Sequence, residues 1–342
     1  MTSSSTHPLI TAAGRSLTDV KKLFDAGEIT PESAGGIKDA LGGTALHEAA
    51  YRGHMDVVAF LIETCKIDPN ARDDSLQTPL HLAAKNPRKG VEVVTYLVDV
   101  SKADIGAQDE LEQTPLHEAA RFGNLLVVEF FLGKTGVMNP SVTDSAKLTP
   151  LHLAAEGGHL ATVQVLCEKH GADLNSKDLS GWTALHFAAC EGHVDVIDYL
   201  TTKGLDVNIP SSTGQTPLHC ASLNGHLGAA QLLIRKGANP NAQASTSETP
   251  LHTAADNGNV DLIRFLVENG AAVNVLDNDQ EAPLHWAAKK GNVDAIRYLV
   301  SLDSSMRMDA KDASGKTIFD YAKETSHGDL VAFLSTLPPF SV

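Results

Sequence analysis

Fifteen histidines in 342 residues are the chain's largest stock of chemically versatile side chains. Imidazole binds zinc, moves protons or, when buried, fixes backbone geometry, and spacing decides among these uses. Eight of the histidines close the tetrapeptide Thr-Pro-Leu-His: intact copies at His81, His117, His152, His219 and His252, near copies at His47, His186 and His285. Four more, His54, His159, His193 and His226, follow a glycine. Within each set the histidines lie a repeat or more apart, too far for the three or four convergent ligands of a zinc site, and the pattern assigns them to structural hydrogen bonding. His47-Glu48-Ala49-Ala50-Tyr51 and His117-Glu118-Ala119-Ala120-Arg121 open like a zinc-protease helix but lack its second histidine. Ala310 to Thr317 fits a relaxed phosphate-loop pattern. A phosphate loop needs a buried strand before it and a long helix after it, whereas Asp312 to Thr317 is the turn that recurs before the other tetrapeptides. These readings leave no catalytic residue, no metal and no cofactor.

The elements around the histidines repeat with them. Successive tetrapeptide starts, degenerate copies at His7 and Thr317 included, are 33 to 37 residues apart. A period near 33 means a stacked array in which each unit contacts its neighbours. In the unit from Asp178 to Lys203, Asp178-Leu179-Ser180-Gly181 reads as a tight turn and Thr183 as a helix N-cap. Leu185, Phe187, Ala188 and Ala189 lie on a short helix that Gly192 ends in a left-handed C′ conformation. Val194, Val196, Ile197 and Leu200 form the apolar stripe of a second, antiparallel helix that Gly204 closes.

These residues resemble the ankyrin repeat, and the resemblance covers residues 7 to about 336. It implies an all-α repeat fold, a solenoid of helix-turn-helix units with short β-hairpin loops. The expected organisation is a single domain over 1–342, with an N-terminal capping repeat at 7–43, eight internal repeats over 44–316, and a capping repeat and tail from 317. The resemblance further implies that an asparagine after the second helix can be hydroxylated, which makes Asn175, Asn208, Asn241 and Asn274 modification candidates. An asparagine bonding the turn backbone is the simpler role.

The formal charge of −15 offers no basic stripe for phosphate backbones, which excludes nucleic acid as the expected partner and favours a basic or neutral protein. Cys65, Cys167, Cys190 and Cys220 form no C-x-x-C and read as reduced thiols of a cytoplasmic or nuclear chain. The opening Met1 to His7 has no signal-peptide pattern, and no run of 18 apolar residues exists to insert in a membrane.

Residues required for folding recur in every repeat, whereas partner-binding residues vary. Three insertions break the period: Glu28 to Ala40, Asn86 to Gly90, and Gly133 to Lys147. The second places Lys85, Arg88 and Lys89 in an acidic chain. In ankyrin proteins partners meet the hairpin tips and the exposed face of the first helix. Here those positions hold Tyr51, Arg52, Lys85, Arg121, Phe122, Leu148, Glu156, Trp182, Cys190, Glu191, Leu223 and Asn224, then Asp256, Asn257, Lys289 and Lys290. Tyr51, Phe122, Trp182 and Leu223 are the expected anchors, large or apolar residues at solvent-facing positions, since aromatics and arginine dominate interface energy. The expected function is a non-enzymatic scaffold or regulatory subunit, a monomer that holds another protein in its concave groove. The alternative is a small-molecule or lipid-headgroup binder using that groove. The terminal Phe340-Ser341-Val342 also fits a PDZ-ligand pattern.

Overall fold

The computed structural model describes residues 7–134, 138–302, 309–324 and 327–336. The Phe340–Val342 pattern and part of the Gly133–Lys147 insertion lie outside them. The chain forms two compact units, Met1–Leu179 and Ser180–Val342. Both are built of helix pairs, and no strand occurs among the described residues.

In the first unit the pairs are Pro8–Ala13 with Leu17–Asp25, Ala45–Arg52 with Met55–Glu63, Pro79–Ala84 with Gly90–Thr95, Pro115–Arg121 with Leu125–Gly133, and Pro150–Glu156 with Leu160–Glu168. In the second they are Ala184–Glu191 with Val194–Thr202, Pro217–Leu223 with Leu227–Arg235, Pro250–Asn257 with Val260–Glu268, Pro283–Lys290 with Val293–Leu302, and Ile318–Glu324 with Gly328–Leu334. The first helices bury Leu80, Leu116, Leu218 and Leu251 completely, each worth roughly 1.5–3 kcal/mol of apolar transfer. Their alanine pairs, such as Ala83–Ala84 and Ala188–Ala189, are equally inaccessible and let the next helix approach closely. As expected, Gly192 is left-handed at φ 75° where the first helix of its repeat ends.

The loops between repeats depart from the expected β-hairpin. In most of them the turn closes on an aspartate: the Asp73 amide donates to the Gln77 carbonyl at 3.0 Å, and Asp73 Oδ1 accepts the Ser75 and Gln77 amides at 3.0 and 2.8 Å. Asp109, Asp144, Asp277 and Asp312 repeat this pattern. Neighbouring loops then share single backbone bonds, such as Asp74 N–H to the Leu41 carbonyl at 2.9 Å and Asn278 N–H to the Thr246 carbonyl at 2.9 Å. One backbone bond per neighbour is too few for a ladder, so in these loops the aspartate side chain holds the turn instead of a strand pair; Ser211 Oγ does the same for the Thr213 and Gln215 amides.

Two of the insertions fold onto the array. Thr30 caps a single helical turn, Pro31–Ala34, which buries Ala34. In the Asn86–Gly90 segment, Asn86 Oδ1 accepts the Arg88 and Lys89 amides at 3.0 Å, and its Nδ2 donates to the Tyr51 carbonyl at 2.9 Å. The helix that follows ends in a π-helical turn, Tyr96–Val100.

Candidate functional site

The tetrapeptide histidines are the repeat's fasteners. The Thr183 backbone N–H donates to His186 Nδ1 at 3.1 Å, and the same bond recurs at His47, His81, His117, His152, His219, His252 and His285. An amide nitrogen can only donate, so Nδ1 is the acceptor and the proton sits on Nε2. Nε2 then donates to a carbonyl of the following loop: Gln77 for His47, Gln113 for His81, Leu148 for His117, Gln215 for His186, Glu248 for His219 and Glu281 for His252. Burial disfavours the charged ring and pulls His81 and His219 down to about 4. Among the described residues no cluster of histidine, cysteine or carboxylate is arranged to hold a metal.

The second histidine set binds in the opposite direction. His54 Nε2 reaches the Gly14 carbonyl at 3.2 Å and His159 Nε2 the Arg121 carbonyl at 2.9 Å, each in a preceding repeat. Asn124 takes this position in its repeat and donates to the Ala84 and Asn86 carbonyls at 3.1 and 2.8 Å.

The residues expected to meet a partner fall into two rows, the loop position before the tetrapeptide and the end of the first helix. In the first unit Tyr51 and Phe122 are each 44% exposed. Arg52 pairs with Glu48 at 2.9 Å and lies 5.5 Å from the centre of the Tyr51 ring. The two aromatics are not neighbours: the repeat carrying Lys85 stands between them. Lys85 Nζ donates to Gln77 Oε1 at 3.0 Å and lies 3.6 Å from the Glu118 carboxylate. Arg121 donates to Gln113 Oε1 at 3.2 Å and pairs with Glu156 at 3.4 Å. Arg88 and Lys89 point into solvent, whereas Leu148 is half-buried.

In the second unit Trp182 is half-buried, stacked on His186 at 5.8 Å and edge-on to Phe187 at 5.3 Å. Leu223 is 42% exposed, Glu191 and Asn224 are exposed, and Asn224 Nδ2 donates to the Cys190 carbonyl at 2.7 Å. Of the modification candidates, Asn208 and Asn241 cross-link successive loops. Their Oδ1 atoms accept the Asn239 and Ala272 amides at 2.8 Å. Asn175 and Asn274 are exposed.

Gln77, Gln113, Glu248 and Glu281 are loop members of the two rows that repeat position alone does not reveal. Their signal is a spacing of eight residues to the helix-end row: Gln77 to Lys85, Gln113 to Arg121, Glu281 to Lys289.

The architecture is that of a helical-repeat binding protein. A family model described as "Ankyrin repeats (3 copies)" matches residues 9–109, 87–178, 170–244, 231–312 and 251–337, and the chain belongs to the ankyrin-repeat family. Ankyrin repeats are protein-interaction modules. Among similar proteins, the rat "Glutaminase liver isoform, mitochondrial" is 54% identical over 43 residues, 13% of this chain and 7% of that one. The human "Espin-like protein" is 34% identical over 71 residues, 21% of this chain and 7% of that one. The zebrafish "Notch-regulated ankyrin repeat-containing protein A" is 50% identical over 38 residues, 11% of this chain and 34% of that one. The chain thus spans about a third or less of these relatives. No described helix is long and apolar enough to cross a membrane.

Proposed function

We propose that this chain is a non-enzymatic interaction module that binds a protein through the loop tips and first-helix ends of its repeats, the surface the sequence reading calls a concave groove. The observation that carries this reading is the exposure of Tyr51, Phe122 and Leu223, each above 40%, on or just past the ends of first helices whose other large apolar residues are buried. Exposed apolar anchors on a rigid scaffold lose little entropy on binding. The reading takes the chain as a monomer of the cytoplasm or nucleus with reduced thiols.

The test is a pull-down from lysate of the source organism with quantitative mass spectrometry. It compares the wild type with a variant combining Tyr51→Ala, Phe122→Ala, Trp182→Ala and Leu223→Ala, once circular dichroism shows that the variant folds. Partners lost by the variant support the reading. Equal recovery would move the site to Arg88 and Lys89. No partner with either chain, joined to a metabolite that raises the melting temperature, would replace it with the small-molecule alternative.

A further inference from the structure

Four repeats obey one electrostatic rule. The residue before the tetrapeptide faces a residue eight positions later, and one member of each pair is a cation. Lys85 meets Gln77 at 3.0 Å, Arg121 meets Gln113 at 3.2 Å, Lys289 meets Glu281, and Lys316 meets Glu324 at 2.6 Å. Other repeats have no cation at either position, with Tyr51, Glu156, Cys190 and Leu223 at the later one, and only the repeat that carries Glu248 places two acids there. Eight residues on stands Asp256, a second acid, and Lys290 of the next repeat holds it at 3.3 Å.

Glu248 is left over. It is 8% exposed, its Oε2 is fully enclosed without a hydrogen-bond partner, and its side chain makes no hydrogen bond or ion pair among the described residues. Its counterparts Gln77 and Gln113 send Nε2 to the aspartate of the next loop, to Asp109 Oδ2 at 3.3 Å and Asp144 Oδ2 at 2.7 Å. A carboxylate has no such proton to give. The corresponding Asp277 Oδ2 instead takes the Trp286 indole N–H at 2.9 Å.

A largely buried carboxylate without a partner destabilises the fold, and because its charge is shared by both oxygens, an outside cation on the accessible one would offset part of that penalty. We propose that Glu248 is a socket for a cationic side chain, arginine or lysine, presented by the bound partner. The other carboxylate oxygen, not fully enclosed, is the one the cation reaches. Leu223, 42% exposed, occupies in the preceding repeat the place that Asp256 occupies here, and its carbonyl accepts from Asn257 Nδ2 at 3.1 Å, so an exposed apolar side chain lies beside this repeat's helix end. The net charge of −15 draws a basic partner toward the site. The proposal rests on the protein-binding reading above.

The test uses the full chain, a random peptide library displayed on phage, and the variants Glu248→Gln and Asp256→Lys. Peptides enriched on the wild type should carry arginine or lysine at a fixed position. Changing that residue to glutamine, or Glu248 to glutamine, should each weaken binding about tenfold or more, with little further loss when both are changed. Glu248→Gln should also raise the melting temperature, by restoring the donor that Gln77 and Gln113 supply. Asp256→Lys should fill the socket from within and block basic peptides while the chain stays folded. Peptides that bind both chains equally, or a Glu248→Gln chain melting no higher than wild type, overturn the socket and leave the protein-binding reading standing. No enriched peptide on any chain overturns both. A melting temperature raised by millimolar calcium in the wild type alone assigns the site to a metal ion and also overturns the socket.

Discussion

The Nε2 of His81 lies 3.0 Å from the backbone carbonyl of Gln113, one repeat further along the chain. Because Nδ1 of the same ring accepts the Thr78 amide at 3.1 Å, the bridge requires the neutral ring. Burial pulls His81 and His219 down to about 4 and lowers His47, His117 and His252 in the same direction. An unfolded histidine protonates near 6.5. Between these values the unfolded chain therefore binds more protons than the folded one. The stabilisation is complete above about pH 6.5 and is lost as pH falls toward 4. His81 and His219 should each contribute about 2 kcal/mol less at pH 5 than at neutral pH. Urea unfolding followed at pH 7.5, 6 and 5 checks this, and a midpoint that does not move would refute it.

The left-handed turn position before the tetrapeptide is glycine in some repeats, as at Gly181 with φ 75°. In others it is Leu76, Glu112, Lys147, Ser247 or Gln280, all with φ between 59° and 66°. A side chain there costs about 1–2 kcal/mol, against which glycine's extra freedom in the unfolded chain counts. Leu76→Gly and Gln280→Gly should each raise the unfolding free energy by about 0.5–1 kcal/mol. Denaturant titration of the single variants measures the gain.

Gly90 closes the Asn86–Gly90 insertion under steric constraint rather than positive φ. A Cβ there would stand 2.3 Å from the Ala83 carbonyl oxygen and 2.9 Å from Asn124 Nδ2. Gly90→Ala should destabilise by about 2 kcal/mol or more. Asn124→Ala should cost a similar amount by stranding the Ala84 and Asn86 carbonyls. A loss below about 0.5 kcal/mol in either would show that the insertion is not clamped.

The four proposed anchors should differ in their effect on folding. Tyr51→Ala, Phe122→Ala and Leu223→Ala remove exposed side chains and should change stability by less than about 0.5 kcal/mol each. Trp182→Ala loses its contacts with His186 and Phe187 and should cost about 1–2 kcal/mol. Melting curves of the four single variants separate the two groups.

Thiol reactivity should follow burial. Cys65 is 5% exposed, and burial pushes its thiol up to about 11. Cys220, buried against Cys190, is raised as well. At pH 8 both should alkylate far more slowly than half-exposed Cys167, as time-resolved peptide mass spectrometry of iodoacetamide-treated native protein would read.

The helix pairs were legible because their determinants recur: Thr183, Leu185, Ala188, Ala189 and Gly192 each perform one local task, and the period shows where the task is repeated. The strandless loop was less legible, since Asp73 reads equally well as a turn residue and as the start of a hairpin. Only the bond geometry shows its carboxylate doing the work of a strand partner. The exposure of Tyr51, Phe122 and Leu223 followed from repeat position, whereas the burial of Trp182 against its own helix did not. The pairing of Gln77 with Lys85 was hidden because eight residues span a turn and most of a helix, a separation that no helical or strand period picks out.

The tetrapeptide histidine donates forward, to a loop that comes later in the chain, while His54 and His159 reach back to segments already made. During synthesis the backward bonds can form as soon as a second helix emerges. Each forward bond must wait until the next loop has left the ribosome. Folding on the ribosome would then trail translation by about one repeat, and the newest repeat would stay the least protected part of the nascent chain.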